Sequence, residues 1–127
     1  MSLKTPLGQV LGLGSAKDGT GHWWVQRLSA VALIPLGLWF AISLVALPDL
    51  NYDTVRLWIA EPTSNVGLVL FVVAAGYHSL LGLQVVVEDY VGGALKMVTL
   101  ITLSLVHIGL GVAGVLAVLR IGFGGGV

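Results

Sequence analysis

The chain contains no cysteine. That excludes disulfides, cysteine-bound zinc and iron–sulfur clusters held by its own thiolates, so any metal it carries must be held by histidine or carboxylate. Charge is scarce as well. Only 9% of the 127 residues are charged, against about 25% in an ordinary soluble domain. So few charges cannot cover a water-facing surface, and lipid is the solvent that fits. The net charge of +0 leaves no electrostatic footprint for a nucleic acid partner. No GxxxxGK[ST] loop, GxSxG elbow or HExxH pair occurs. The stretch Gly12-Leu13-Gly14 lacks the strand–helix setting of a dinucleotide fingerprint and reads as a loop leading into the first apolar run. The chain is therefore not expected to be a self-contained enzyme. Residues 1–24 form a polar, glycine-rich arm without the apolar core of a secretory signal or the Arg-rich pattern of a transit peptide. The expectation is a retained N-terminus and a bacterial source.

What the sequence does have is apolar length. Hydrophobic residues make up 57% of it, concentrated in runs at residues 25–47, 66–87 and 97–119. Each run is about 22 residues, or roughly 33 Å as a helix, enough to cross the hydrocarbon core. The runs are apolar on nearly every face, unlike the striped helices of soluble proteins. Lone strands cannot satisfy their backbone in lipid, so helix is the only state available. The expected fold is all-α, a single membrane-anchor domain over residues 1–127 with three transmembrane helices in an up-down-up bundle. Pro48, Asp49 and Asn51 close the first span, Pro62, Ser64 and Asn65 open the second, and Gly92-Gly93 turns the chain into the third. The tail from Gly122 to Val127 is expected to fray. Pro35 removes a hydrogen bond inside the first span and is expected to kink it.

Lys4, Lys17, Arg27 and Lys96 fall on one side of such a bundle. Arg56 and Arg120 fall on the other, beside Asp49, Asp53 and Glu61. The positive-inside rule then puts the N-terminus in the cytoplasm. Trp23, Trp24, Trp58 and Tyr90 sit near the expected interfaces, and Trp39 lies deeper as a packing residue.

His78 lies near the middle of the second span, where an ionisable group is a functional candidate. Its neutral imidazole is the form that binds a metal. At 100° per residue its face carries Gly67, Phe71, Ala74, Gly82, Val85 and Asp89. Two readings stand side by side: Ala74 and Gly82 leave a groove for a flat macrocycle, or the groove receives another helix. His107, at similar depth on the third span, shares a face with Ser104, Gly111 and Gly114. It could be a second ligand to the same iron, but an interhelical hydrogen bond is the favoured reading. Glu88-Asp89-Tyr90 ends the second span. A carboxylate beside a phenol suits a lipophilic quinone, and the plainer alternative is an interfacial Tyr with solvated charges. His22, Trp23, Trp24 and Arg27 mark the mouth of the first span. Arg27 there either binds an anionic group or snorkels to headgroups.

Two segments carry a family resemblance: His22-Trp23-Trp24-Val25-Gln26-Arg27-Leu28-Ser29-Ala30, and His78-Ser79-Leu80-Leu81-Gly82 followed by Glu88-Asp89-Tyr90-Val91. In these, and in its length and three spans, the chain resembles the small hydrophobic, D-type membrane-anchor subunits of bacterial succinate dehydrogenases (respiratory complex II). The resemblance implies that His78 is an axial ligand of haem b and that Tyr90, with Asp89 beside it, binds ubiquinone. It places Arg27 and His22 near the haem propionates. It implies a larger cytochrome b anchor subunit supplying the second iron ligand, an iron–sulfur subunit and a flavoprotein subunit where succinate is oxidised. The implied location is the bacterial inner membrane. The competing readings are a haem-free structural or assembly protein, a cytochrome b anchor of a related fumarate reductase, and a transporter subunit with His78 and His107 as a proton relay. The lack of a membrane-buried carboxylate speaks against the last.

Overall fold

Hydropathy marks where lipid ends, whereas a helix ends where its backbone hydrogen bonds run out, and the two limits differ along this chain. The computed structural model describes residues 16–124, with side chains described from residue 21. Its helices are α1 (Ala16–Val45), α2 (Tyr52–Ala60), α3 (Pro62–Tyr90) and α4 (Gly93–Gly122). Three of them, α1 from Gly21 onward, α3 and α4, are long and apolar enough to cross a membrane. The all-α, three-span architecture expected from sequence is the one observed. The arm is corrected in part: Ala16 to Trp24 are already helical. Lys4 and the Gly12–Gly14 loop lie outside the described residues, as does the end of the tail.

Both later spans also run past their apolar cores. α3 starts at Pro62, where the missing N–H of proline costs nothing because the first N–H groups of a helix are unpaired anyway. Glu61 caps it. Its carboxylate accepts from Thr63 Oγ1 at 2.6 Å and from the Ser64 backbone N–H and hydroxyl, each at 2.9 Å. The Thr63 hydroxyl, then the two Ser64 donors, lower the Glu61 pKa from 4.5 to about 2. A folded-state value below the unfolded one means that the cap stabilises fully above about 4.5 and is lost as pH falls through about 2. The group is exposed, so the effect is small. We expect a Glu61→Gln variant to lose the part of the acid transition that lies in this window. Tryptophan fluorescence of Trp58 and Trp39 should report it, and an identical acid titration in the variant would contradict the assignment.

α2 was not anticipated, because at 9 residues it is too short to span. Its local signals are nevertheless in the sequence. The Asn51 side chain caps it by accepting from Thr54 N at 2.9 Å, and Asp53 sits in its first turn, where the helix dipole favours an anion. α1 is continuous through Pro35 and ends in a turn before Pro48. At the other junction only Val91 and Gly92 separate α3 from α4, and Gly93 takes a φ of 63°, a left-handed conformation that favours glycine.

α3 is the central helix. α1 packs on one of its faces and α4 on another, with α2 bridging α3 and α4. Among the described residues, α1 and α4 do not approach each other. The arrangement leaves most of the described side chains at the outer surface; among the described residues the buried ones are Ser29, Ser64, Asn65, Leu68 and Leu81. Three of these are polar, the inverse of a soluble core and the expected one for helices joined in lipid by small and polar contacts.

Candidate functional site

The face of α3 that carries His78 is the face on which α1 lies. Phe71 stacks on Phe40 of α1 with ring centroids 4.9 Å apart. Trp39 covers Gly67 so closely that a Cβ built there falls 2.5 Å from its ring. The Gln26 amide rests 3.6 Å from the Cβ position of Gly82. α1 thus packs beside Gly82 on this face. Of the two readings of that face, helix packing is the one observed.

His78 itself points at α1. Its Nδ1 lies 3.0 Å from Ser29 Oγ, and Ser29 in turn donates to the Gln26 carbonyl at 2.9 Å. A hydroxyl has one proton. With that proton committed to a carbonyl, which can only accept, Nδ1 must carry its own proton and donate it to Ser29 Oγ. The Nε2 lone pair is then the open one. Among the described residues Nε2 has no hydrogen-bond partner, and the enclosed polar atom left unsatisfied is Gln26 Oε1, not this nitrogen. The half-buried His78 thus keeps one ring nitrogen, Nε2, that no described residue engages.

His107 is used differently. Its Nδ1 donates to Leu103 O at 2.9 Å and its Nε2 is 3.3 Å from Ser79 Oγ, so both nitrogens have partners. It lies in the wall of an apolar groove of about 360 Å³ between α3 and α4, with Gly76, Tyr77 and Gly111. The structure gives it the interhelical hydrogen bond and separates it from the α1-facing side of His78. Among the described residues, no group of three His, Cys, Asp or Glu converges on one point.

Toward the Tyr90 end the polar contacts continue. His22 Nε2 is 3.5 Å from Gln84 Oε1, and Gln84 Nε2 is 3.5 Å from Ser104 Oγ, which donates to Leu100 O at 2.8 Å. This rung ties α1, α3 and α4 together. Arg27 is exposed, with its guanidinium 5.4 Å above the Trp23 ring. Tyr90 ends α3 and is 87% exposed, with Asp89 exposed beside it. Lys96 donates to the Glu88 carbonyl at 3.1 Å, satisfying one acceptor at the end of α3. His78 and Tyr90 lie on one unbroken helix, about 18 Å apart along its axis.

Residues 1–119 match the family described as succinate dehydrogenase/fumarate reductase transmembrane subunit. The chain belongs to this family. It is 30% identical over 120 residues to the succinate dehydrogenase hydrophobic membrane anchor subunit of Paracoccus denitrificans, covering 94% of this chain and 93% of that one. It is 35% identical over 78 residues to the subunit of the same description from Rickettsia bellii, covering 61% of this chain and 62% of that relative's length. The succinate dehydrogenase membrane anchor subunit of Reclinomonas americana is 30% identical over 80 residues, 61% of this chain and 67% of its own. No solved structure matches.

Ser29, Gln26 and Gln84 have no role assigned from sequence, and Asn65 only that of opening the second span. The signal available was their polarity at or within apolar runs, where an uncharged hydrogen-bonding side chain must find a partner. Asn65 in particular is not a loop residue. It is buried in α3 and donates to Ile59 O at 3.1 Å and Val118 O at 2.7 Å, tying α2 and α4 to α3.

Proposed function

We propose that this chain is the small hydrophobic anchor of a bacterial succinate:quinone oxidoreductase. It lies in the inner membrane with its N-terminus in the cytoplasm. It holds the flavoprotein and iron–sulfur subunits to the bilayer, pairs with a larger cytochrome b anchor subunit, would hold haem b through His78 and forms part of a ubiquinone site. The observation that carries this reading is the mid-span imidazole of His78, with Nδ1 held by Ser29 and Nε2 engaged by none of the described residues. Those residues fit haem b: His78 would hold its iron through one neutral ring nitrogen and leave the remaining protein ligation to a partner. When bound, haem b supplies a one-electron store inside the membrane.

The chain's own residues divide the remaining work. Arg27, its guanidinium over Trp23, and His22 would pair with the haem carboxylates near the membrane surface, a role that the exposure of Arg27 supports. Tyr90 donates a hydrogen bond to a quinone carbonyl, and Asp89 holds or relays the proton that this oxygen takes up. Two electrons from succinate, delivered by the partner subunits, and two protons complete the reduction to quinol. The same end of the bundle carries Lys96 and Arg27, and the positive-inside rule puts that end in the cytoplasm, where soluble subunits would dock.

The test is purification of the tagged chain from membranes. Flavin-bearing and iron–sulfur subunits and a second anchor should co-purify, with a b-type reduced-minus-oxidised spectrum and succinate-driven ubiquinone reduction. A colourless chain isolated without these partners sinks the proposal. In that complex Tyr90→Phe should slow ubiquinone reduction about tenfold, the scale of a lost hydrogen bond at a reacting carbonyl. Succinate oxidation by a soluble dye should barely change; equal losses in both assays would rule out the quinone role.

A further inference from the structure

We infer that Ser29 is the positioning residue that sets the tautomer and ring orientation of His78, so that Nε2 and not Nδ1 is offered to iron. The inference rests on the reading of His78 as a ligand, and goes beyond it by naming the residue on α1 that makes the ligand competent. Ser29 is only 9% exposed, so water does not replace it as a partner. Its hydroxyl proton is directed to the Gln26 carbonyl one turn earlier on the same helix. The oxygen is thereby left as a pure acceptor aimed at His78 Nδ1. The reverse arrangement, with the hydroxyl donating to Nδ1, would set two lone-pair oxygens, Ser29 Oγ and Gln26 O, against each other at 2.9 Å. Only a protonated Nδ1 gives both contacts a hydrogen. A ring held this way has one rotational position and a more electron-rich Nε2. Such outer partners change metal affinity by about 10- to 100-fold.

The experiment uses the intact complex carrying Ser29→Ala, with Ser29→Thr as the variant that keeps the hydroxyl. Ser29→Ala should still incorporate haem. Haem transfer to apomyoglobin should accelerate at least about tenfold, the low-spin resonance signal should shift, and the midpoint potential should rise as Nε2 becomes a poorer donor. Ser29→Thr should restore all three. Wild-type values for all three in Ser29→Ala overturn the inference. If Ser29→Ala does not assemble, nitrogen-15 histidine resonances of the reduced wild-type complex decide it. An Nδ1-bound proton slow to exchange in heavy water supports the role, and a freely exchanging one overturns it. Failure of the ligand reading is a separate result: a wild-type complex without a b-type spectrum, or a His78→Ala spectrum identical to wild type.

Discussion

His78→Ala is expected to remove nearly all b-type absorbance from the purified complex while leaving the chain in the membrane. Within this chain the imidazole makes a single side-chain hydrogen bond, to Ser29. Losing it costs about 0.5–1.5 kcal/mol, and Ser29 keeps its bond to the Gln26 carbonyl. The contacts that join α1 to α3, Phe40 on Phe71 and Trp39 on Gly67, lie elsewhere along the helices and are untouched. The variant therefore separates binding from folding. His107→Ala is the matched control. Both nitrogens of His107 are already engaged, Nε2 with Ser79 across on α3 and Nδ1 with the Leu103 carbonyl of its own helix, so its loss should leave the spectrum in place. A reduced-minus-oxidised spectrum that survives His78→Ala, or disappears with His107→Ala, would reverse the assignment.

The second large effect is structural. Gly67→Leu should prevent normal packing of α1 on α3. A Cβ at this position falls 2.5, 2.8 and 2.9 Å from three atoms of the Trp39 ring. A rigid indole cannot bend away as a lysine tip would. Trp39 is also backed by Trp58, stacked at 6.2 Å, and Trp58 by Phe40 at 6.2 Å. Overpacking typically costs about 1–3 kcal/mol, a large share of a total stability of about 5–15 kcal/mol. The expected result is a several-fold drop in membrane-inserted, extractable chain and a lower Tm of the solubilised complex. Trp39→Ala in the same chain vacates the space and should recover part of the loss, a coupling of the kind contacting residues show. Wild-type accumulation and Tm in Gly67→Leu alone would show that the two helices do not meet there.

Glycine-rich membrane sequences invite the view that every glycine marks a helix contact, and this chain separates the cases. Gly67 lies under an indole, Gly114 leaves only 3.1 Å between a Cβ and Val72 Cγ1, and Gly122 gives way to the Asn65 carboxamide. Gly37, Gly76, Gly109 and Gly111 meet nothing within 4 Å. Composition could not distinguish these groups, because the distinction depends on which face of each helix another helix occupies.

The sequence by itself determined that this is a three-span helical membrane protein and which end of the bundle carries His22, Tyr90 and most of the basic residues. Those conclusions follow from hydropathy and spacing along one chain, and lipid leaves a polypeptide few other choices. It also singled out His78, because an ionisable group in the middle of an apolar run is costly and so conspicuous. The tertiary structure decided what each histidine is bonded to. Helical periodicity placed Gly82, Phe71 and Gly67 on one face with His78, but only packing put α1 there. Neighbouring positions on α3 sent His78 toward Ser29 and Ser79 toward His107, a 100° step that assigns the two imidazoles to different helix pairs. Which nitrogen is left open depends on a hydroxyl and a carbonyl far away in sequence, and such a pairing exists only once the helices are side by side.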